Sequence, residues 1–186
     1  MKIAIIGGSY GGLCAALALR CVGHEVKVFE RASGIDRIGG GIVVQPDFAE
    51  YLEAFGYAKP ESAAVPTSRR RFLRQDGSIA ATGGDATFYT AWDTLLRSLR
   101  NALDPAMLQN GCALVDFRQE SAKVICEFEA GEHGEFDLLV AADGIGSLIR
   151  RRVLPSIEPE YAGYVGYRGL VPESSLTREQ LDLIRD

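Results

Sequence analysis

The hydrophobic positions of the chain open on a strand period and change at once to a helix period. Lys2-Ile3-Ala4-Ile5-Ile6 is a short apolar run of the kind a parallel sheet buries on both faces. Gly7-Gly8-Ser9-Tyr10-Gly11-Gly12 follows directly. Leu13, Ala16, Leu17 and Leu19, with Cys14, Ala15, Ala18 and Cys21 among them, predict a small-residue helix that can lie close to a sheet, and Gly23 ends it. Glu25 to Phe29 alternates into a second strand, which Glu30 closes. Met1 to Arg31 therefore reads as strand, glycine turn, helix and strand with a terminal acid.

Further along, Arg31 to Gly40 is polar and reads as a surface loop, and Gly41 to Val44 as a short strand leading to Gln45-Pro46. Asp47 to Phe55 suits a helix whose apolar face, Phe48, Tyr51, Leu52 and Phe55, is expected in the core, with Gly56 as its stop. Lys59 to Ser68 is connection. Arg69 to Arg74 is a basic strand running into the turn Gln75 to Ser78, with Ile79 onwards as its hairpin partner. Thr90 and Asp93 form a capping-box pattern ahead of a helix from Ala91 to Leu103, with Trp92, Leu95, Leu96 and Leu99 on or near its buried side.

Cys112 to Phe117 and Ala122 to Phe128 alternate as neighbouring strands, and Glu132-His133-Gly134 turns toward a third. That third strand, Phe136 to Ala142, is an apolar run expected to be fully buried, and it ends in Asp143-Gly144-Ile145-Gly146-Ser147 before a short helix containing Leu148 to Arg150. Tyr161 to Val171 reads as a glycine- and tyrosine-rich strand, and Thr177 with Gln180 opens a final helix. The pattern as a whole predicts an α/β chain with a parallel sheet and an antiparallel one.

The opening unit has the chemistry of a phosphate cradle. A helix N-terminus carries unpaired N–H groups and the positive end of the helix dipole, so a pyrophosphate sits there without a dedicated cation. Gly7 permits the tight turn and Gly12 close packing of helix on strand; Ser9 stands at the second glycine position of G-x-G-x-x-G, small and able to donate a hydrogen bond. Glu30, about twenty positions on, is placed to accept hydrogen bonds from ribose hydroxyls. With strand, helix, second strand and acid all present, an ordinary glycine turn is the weaker reading. The ligand class is a dinucleotide.

Asp143-Gly144 repeats the geometry. A strand delivering an acid and a glycine to a helix start makes a second ligand-facing point at the sheet's carboxyl edge, and Arg150 can fold back to pair with Asp143 or cap the turn. A purely structural turn is the alternative, since an acid and an arginine at a helix start also stabilise it locally. Gly39 to Gly41 would let backbone approach a flat ligand closely or form a loop tip, and spacing weighs the two equally. The arginines of 69–74 could meet the phosphate of a nicotinamide cofactor, but a solvated edge-strand face is favoured.

Composition narrows the function class. A hydrophobic share of 47% and a charged share of 24% are ordinary for a globular chain able to bury a core. With 20 basic and 25 acidic residues, the net charge of −5 speaks against a general nucleic-acid or anionic-membrane binder. No membrane span and no leader pattern is read before the first strand, so the expected compartment is the cytoplasm. Cys14 and Cys21 are read as buried apolar side chains, no C-x-x-C or histidine cluster predicts a metal, and His24 and His133 are expected solvated in turns.

Taken together, the Gly7 to Glu30 fingerprint, the segment Gly39-Gly40-Gly41-Ile42-Val43-Val44-Gln45-Pro46 and Asp143-Gly144-x-x-Ser147-x-x-Arg150 resemble the FAD-dependent aromatic-ring hydroxylases, the single-component flavoprotein monooxygenases similar to p-hydroxybenzoate hydroxylase. The resemblance spans essentially the whole chain. Within the family, the Gly39 to Pro46 segment, Tyr161 to Val165 and Arg168-Gly169 look most like the hydroxypyridine-hydroxylating members.

The resemblance implies a Rossmann-like FAD-binding fold, with residues 1–160 as a discontinuous FAD-binding domain and 161–186 as the start of a substrate-binding domain. It assigns Gly7, Ser9, Tyr10 and Gly12 to the FAD pyrophosphate, Glu30 to the ribose and Arg31 to the adenine side. Gly41, Ile42 and Val43 would line the flavin by backbone contact, and Asp143 would orient the pyrophosphate region, its turn held by Arg150. The implied reaction is hydroxylation of an aromatic or N-heteroaromatic ring, hydroxypyridine-like or phenolic, with NADH or NADPH and O2 through a flavin hydroperoxide. The partners are thus a small aromatic substrate and O2, with no nucleic acid and no membrane, and a homodimer is allowed for.

No catalytic base is assigned; Gln45, Tyr164 and Tyr167 are substrate-side candidates for which packing is the favoured role. Trp92 stands where the family often has an arginine, and the family's downstream G-D motif lies beyond the chain, so a longer or shortened hydroxylase is expected. Two other readings stay open: an NAD-dependent dehydrogenase, which leaves the Asp143-Gly144 segment unexplained, and a non-catalytic FAD-binding module.

Overall fold

Alternation along the first strand sets the layers of everything packed around it. In the computed structural model, which describes residues 1–34, 40–55, 64–84, 87–129, 131–166 and 171–184, the elements in chain order are β1 (Lys2–Ile6), α1 (Tyr10–Cys21), β2 (Glu25–Glu30), β3 (Gly41–Val44), α2 (Pro46–Ala54), β4 (Val65–Thr67), β5 (Arg70–Leu73), β6 (Ile79–Gly83), β7 (Thr87–Ala91), α3 (Trp92–Ala102), β8 (Leu108–Asn110), β9 (Leu114–Glu120), β10 (Lys123–Phe128), β11 (His133–Phe136), β12 (Leu138–Ala141), α4 (Leu148–Val153) and α5 (Arg178–Ile184). They divide into two units, Met1–Arg37 with Leu96–Tyr164, and Ile38–Leu95 with Val165–Asp186.

In the first unit a parallel sheet runs in the order β12-β1-β2-β8. Ile5 of β1 lies opposite Val28 on one side and Val140 on the other. Successive side chains of a strand point to opposite faces, so Ile3 and Ile5 face one way, Ala4 and Ile6 the other, and all four are buried. On the Ile5 face lies α1, whose buried residues are Gly12, Leu13, Ala16 and Leu17. On the opposite face Ala4, Ile6 and Phe29 join Cys112, Cys126, Phe128, Phe136 and Ile149 in one cluster. Phe29 stacks on Phe128 at 4.3 Å and meets Phe136 edge-on at 5.7 Å. Each such ring contributes roughly 1.5–3 kcal/mol through burial, which fixes the antiparallel sheet β11-β10-β9 against the parallel one.

The run Phe136 to Ala142, expected as one buried strand, is divided between these two sheets. Phe136 ends β11, antiparallel to β10, while Leu138 begins β12, parallel to β1. Asp137 is the joint. Its N–H donates to the Lys2 carbonyl at 2.8 Å, and its Oδ2 accepts from the Lys2 N–H at 2.6 Å. Nor is the run fully buried: β12 has one neighbour among the described residues, and Leu138 is 39% exposed.

In the second unit β3, β7 and β4 form an antiparallel sheet in the order β3-β7-β4, so Val65 to Thr67, expected as connection, are a short strand. The arginine-rich hairpin is present as β5 with β6, Arg70 opposite Gly83. Ala91 still pairs with Gly41 in the sheet, so α3 starts at Trp92, one residue later than the capping-box pattern placed it. The aromatics of α2 are half-buried, not core. Phe48 and Tyr51 are near-parallel at 6.3 Å and Tyr51 meets Phe55 at 4.7 Å, while Leu52 is the buried residue of the helix. The final helix, α5, carries the expected capping box: Gln180 N–H donates to Thr177 Oγ1 at 3.2 Å, and Thr177 N–H to Gln180 Oε1 at 2.9 Å.

Three further expectations are corrected. Cys21 is exposed and Cys14 half-buried, because the buried stripe of α1 runs through 12, 13, 16 and 17; the buried thiols are Cys112 and Cys126. His133 lies within β11, not in a turn. Tyr161 to Gly166 form no strand, and Tyr161 and Tyr164 are 75% and 76% exposed. Gly39, Gly56, Lys59 to Ala63, Tyr167, Arg168 and Gly169 lie outside the described residues.

Candidate dinucleotide-binding site

The strand order places three chain segments at one edge. From β1 the chain proceeds to β2 on one side, while β12 lies on the other, so the sequence order reverses at β1. In open α/β sheets the crevice beyond the carboxyl ends of the strands at such a point is where ligands bind. Here β1 delivers the turn Gly7 to Ser9, β2 delivers Glu30, and β12 delivers Ala142 and Asp143.

The glycines are required by backbone that comes close to them. Gly7 has φ +113, and a Cβ there would stand 2.2 Å from the Ala142 carbonyl oxygen. Its N–H donates to the Phe29 carbonyl at 2.8 Å, and the Ala142 N–H donates to the Ile6 carbonyl at 2.8 Å, so the turn is sewn to both neighbouring strands. A Cβ on Gly12 would lie 1.8 Å from the Gly7 carbonyl oxygen and 3.3 Å from Ile5 Cγ2. The helix thus starts as near to β1 as backbone allows.

Glu30 is tied into the same turn. Its Oε2 accepts from the Gly8 N–H at 2.6 Å and its Oε1 from the Ala32 N–H at 2.8 Å. A Cβ on Gly8 would lie 2.8 Å from Glu30 Cβ, so the third glycine of the turn answers to the acid. Gly8 is a member of this turn that the fingerprint spacing does not mark.

Ser9 is the N-cap of α1, with φ −97 and ψ −170, and its hydroxyl makes no capping bond; the Leu13 N–H instead takes up the Ser9 carbonyl at 2.9 Å. No acidic side chain stands in the first turn. A helix N-terminus of this kind, with no acid in its first turn, can take an anion. Tyr10 is half-buried as the first residue of α1, and Arg31 is exposed just beyond β2.

At the third segment Asp143 Oδ2 accepts from the Ile149 N–H at 3.3 Å, and Ser147 Oγ caps α4 by accepting from the Arg150 N–H at 2.9 Å. Gly144 has φ +76. Arg150 does not pair with Asp143. Its guanidinium donates to the Ile145 carbonyl, and Arg151 donates to the Gly146 carbonyl at 2.9 Å. Two neighbouring arginines thus hold successive carbonyls of the loop, and of these Arg151 was not marked by the motif.

The remaining sequence candidates, Gly41, Ile42 and Val43, lie on β3 in the second unit, Gly41 exposed and Ile42 and Val43 half-buried. Gln45 and Tyr164 are exposed. Among the described residues no group of histidines, cysteines or acids could hold a metal ion.

No protein-family model matches the chain. It is 34% identical over 191 residues to 2,6-dihydroxypyridine 3-monooxygenase of Paenarthrobacter nicotinovorans, covering 100% of this chain and 47% of that one. The solved 2,6-dihydroxypyridine-3-hydroxylase of Arthrobacter nicotinovorans superposes with a TM-score of 0.79 at 35% identity, over 87% of this chain and 41% of that one. Klebsiella pneumoniae HpxO complexed with FAD and uric acid gives 0.69 at 25% identity, over 83% and 42%. The chain spans about half the length of the curated relatives it matches. The fold is the Rossmann-like FAD-binding fold, and the chain is a homologue, over about half their length, of the FAD-dependent aromatic-ring monooxygenases.

Proposed function

We propose that this chain is the FAD-binding portion of a monooxygenase that hydroxylates a small aromatic or N-heteroaromatic ring, hydroxypyridine-like or phenolic, with NADH or NADPH and O2. The observation that carries the proposal is the meeting of the Gly7 turn, Glu30 and Asp143 at the carboxyl edge of β12-β1-β2. The relatives add the reaction class.

The residues fit the cofactor. A tight glycine turn, in which Cβ atoms on Gly7, Gly8 and Gly12 would collide with Ala142, Glu30 and the Gly7 carbonyl, leading into a helix N-terminus free of acid, suits a pyrophosphate. Gly7, Ser9, Tyr10 and Gly12 would hold it, Glu30 would accept from the ribose, and Arg31 would lie along the adenine. The turn of Asp143, braced by Arg150, would face the same phosphates, and Gly41, Ile42 and Val43 come to the flavin side from the family resemblance. When bound, FAD supplies the redox chemistry between NAD(P)H, O2 and the ring. The work of the protein is to bind and orient it and to exclude water.

In this reading residues 1–160 form the FAD-binding domain and 161–186 begin a substrate-binding domain. The compartment is the cytoplasm and the assembly allowed for is a homodimer. No helix among the described residues is long and apolar enough to cross a membrane.

The test is a visible-absorption and fluorescence titration of the 186-residue chain with FAD, followed by oxygen uptake with NADH or NADPH and candidate hydroxypyridines and phenols. Saturable flavin binding with substrate-stimulated oxygen uptake is expected of the complete site. Binding without uptake, in this chain and in one extended to the length of its relatives, would make it a non-catalytic flavin module. Hydride transfer without oxygen uptake would overturn the monooxygenase reading in favour of a dehydrogenase.

A further inference from the structure

We propose that Glu30 is a positioning residue that builds the glycine turn before any ligand arrives, in addition to the ribose contact assigned to it above. The turn is that of the ligand-free chain, and only its relevance to FAD rests on the proposed function.

The acid is held at every point from which it could move. Its own carbonyl accepts from the Cys112 N–H at 2.9 Å, and the Ala32 carbonyl accepts from the Gly111 N–H at 3.0 Å, so residues 30 to 32 are pinned where β8 leaves the sheet. From that base Oε1 takes the Ala32 N–H at 2.8 Å, which fixes the carboxylate plane, and Oε2 reaches across to the Gly8 N–H at 2.6 Å. Gly8 N–H would otherwise be a buried donor without a ladder partner at the point where β1 ends, and such a group costs about 1–3 kcal/mol when unsatisfied. The carboxylate satisfies it with a charge-assisted bond, the stronger kind.

Gly7, one residue earlier, is fixed by the Phe29 carbonyl, so two consecutive peptides of the turn are set by consecutive residues of β2. The first uses a backbone carbonyl, which any residue supplies. The second uses a side chain of one length and charge. An aspartate, shorter by one methylene, would not span from the fixed base to Gly8 while keeping Ala32. A glutamine keeps the length but puts an NH2 donor where one of the two oxygens stood, and since Gly8 and Ala32 donate to different oxygens, it serves one of them and faces the other donor to donor. Ordering the turn in advance also lowers the entropy lost on binding, which is the usual source of affinity in a preorganised site.

The experiment is amide hydrogen exchange by NMR on the ligand-free chain, comparing wild type with Glu30→Gln, Glu30→Asp and Glu30→Ala. Expected are exchange at Gly8 about tenfold faster or more in Glu30→Ala and Glu30→Asp, loss at either Gly8 or Ala32 alone in Glu30→Gln, and an unchanged Leu13 amide, which reports that α1 is still folded. FAD titration of the same variants is the second arm. Weaker FAD binding with unchanged Gly8 exchange would overturn the proposal and leave Glu30 as a ligand contact only. Faster Gly8 exchange with no FAD binding even by wild type would uphold it, and the same titration on a chain extended to the length of its relatives would then decide the flavin reading. If Glu30→Ala fails to fold, Glu30→Gln decides: equal protection at both amides would overturn the proposal.

Discussion

The carbonyl oxygen of Ala142 occupies the space that a side chain on Gly7 would need, 2.2 Å from an ideal Cβ position. Residue 7 follows the first strand and residue 142 follows the last strand of the parallel sheet. Their contact brings β1 and β12 together at the carboxyl edge of the sheet. Gly7→Ala would therefore meet two penalties at once, a left-handed φ of +113 and a collision with rigid backbone. The expected loss is about 3 kcal/mol or more in urea unfolding, together with loss of FAD binding by whatever folded protein remains. A loss under about 1 kcal/mol would mean that β12 can retreat from β1.

Adjacent glycines in α1 make an internal control. A Cβ on Gly12 would lie 1.8 Å from the Gly7 carbonyl oxygen, whereas one on Gly11 meets nothing within 4 Å. Gly12→Ala is expected to cost about 2 kcal/mol or more, since the helix must back away from the sheet. Gly11→Ala should be neutral or stabilise by up to about 1 kcal/mol, the helix preference of alanine over glycine. Equal effects of the two in thermal unfolding would contradict the packing of α1 on Ile5.

What was legible in the sequence was what neighbours in the chain decide. The period change at Gly7, the small-residue helix and the acid at Glu30 are all encoded within one βαβ unit, and Asp143 to Arg150 is likewise local. The division at Asp137 was not legible, because the partner that takes its carboxylate and its N–H is Lys2, 135 positions away in the chain. Phe136 to Ala142 is apolar enough to read as one strand. Only that distant pairing shows that it changes sheets. The same holds for Glu30: the residue type and spacing suggested a ribose acceptor, while its bonds to Gly8 and Ala32 depend on the closeness of two strand ends. Cys21 went astray for a different reason. Cysteine is usually buried, and residue type was given more weight than the 3.6-residue period, which places position 21 off the stripe of Gly12, Leu13, Ala16 and Leu17.

Thiol labelling reads that stripe directly. Cys21 is exposed, and Cys126 is fully buried with its thiol pushed up to about 11 by burial. Burial first, and then the charge of Glu132, raises Cys112 as well. Because the thiolate is the reacting form, a disulfide reagent at pH 8 should label Cys21 quickly in the native chain, Cys14 more slowly, and Cys112 and Cys126 only at the rate of unfolding. Denaturant should bring all 4 into reaction together. Fast native labelling of Cys126 would contradict the packing of Phe29, Phe128 and Phe136 around it.

Asp137 gives the joint between the sheets a dependence on pH. The hydrogen bond from Lys123 Nζ at 2.7 Å, and next the one from the Lys2 N–H, hold its carboxyl below the ordinary aspartate value of 3.8. Between the folded value and the unfolded one the unfolded chain binds more protons at this group. The stability it contributes is therefore whole above about pH 4, declines as pH falls through the folded value, and is absent below both. Asp137→Asn removes the charge and keeps an acceptor for the Lys2 N–H, so it isolates the ionic part. The urea midpoint of wild type should exceed that of Asp137→Asn by a constant margin from pH 8 to pH 5, and the two should converge toward pH 2. Because Lys123 is 44% exposed and Asp137 30% exposed, the margin should also shrink in 1 M salt, where the Debye length is about 3 Å. A margin that persisted at pH 2 would assign the role of Asp137 to its shape and its backbone bond, and none of it to its charge.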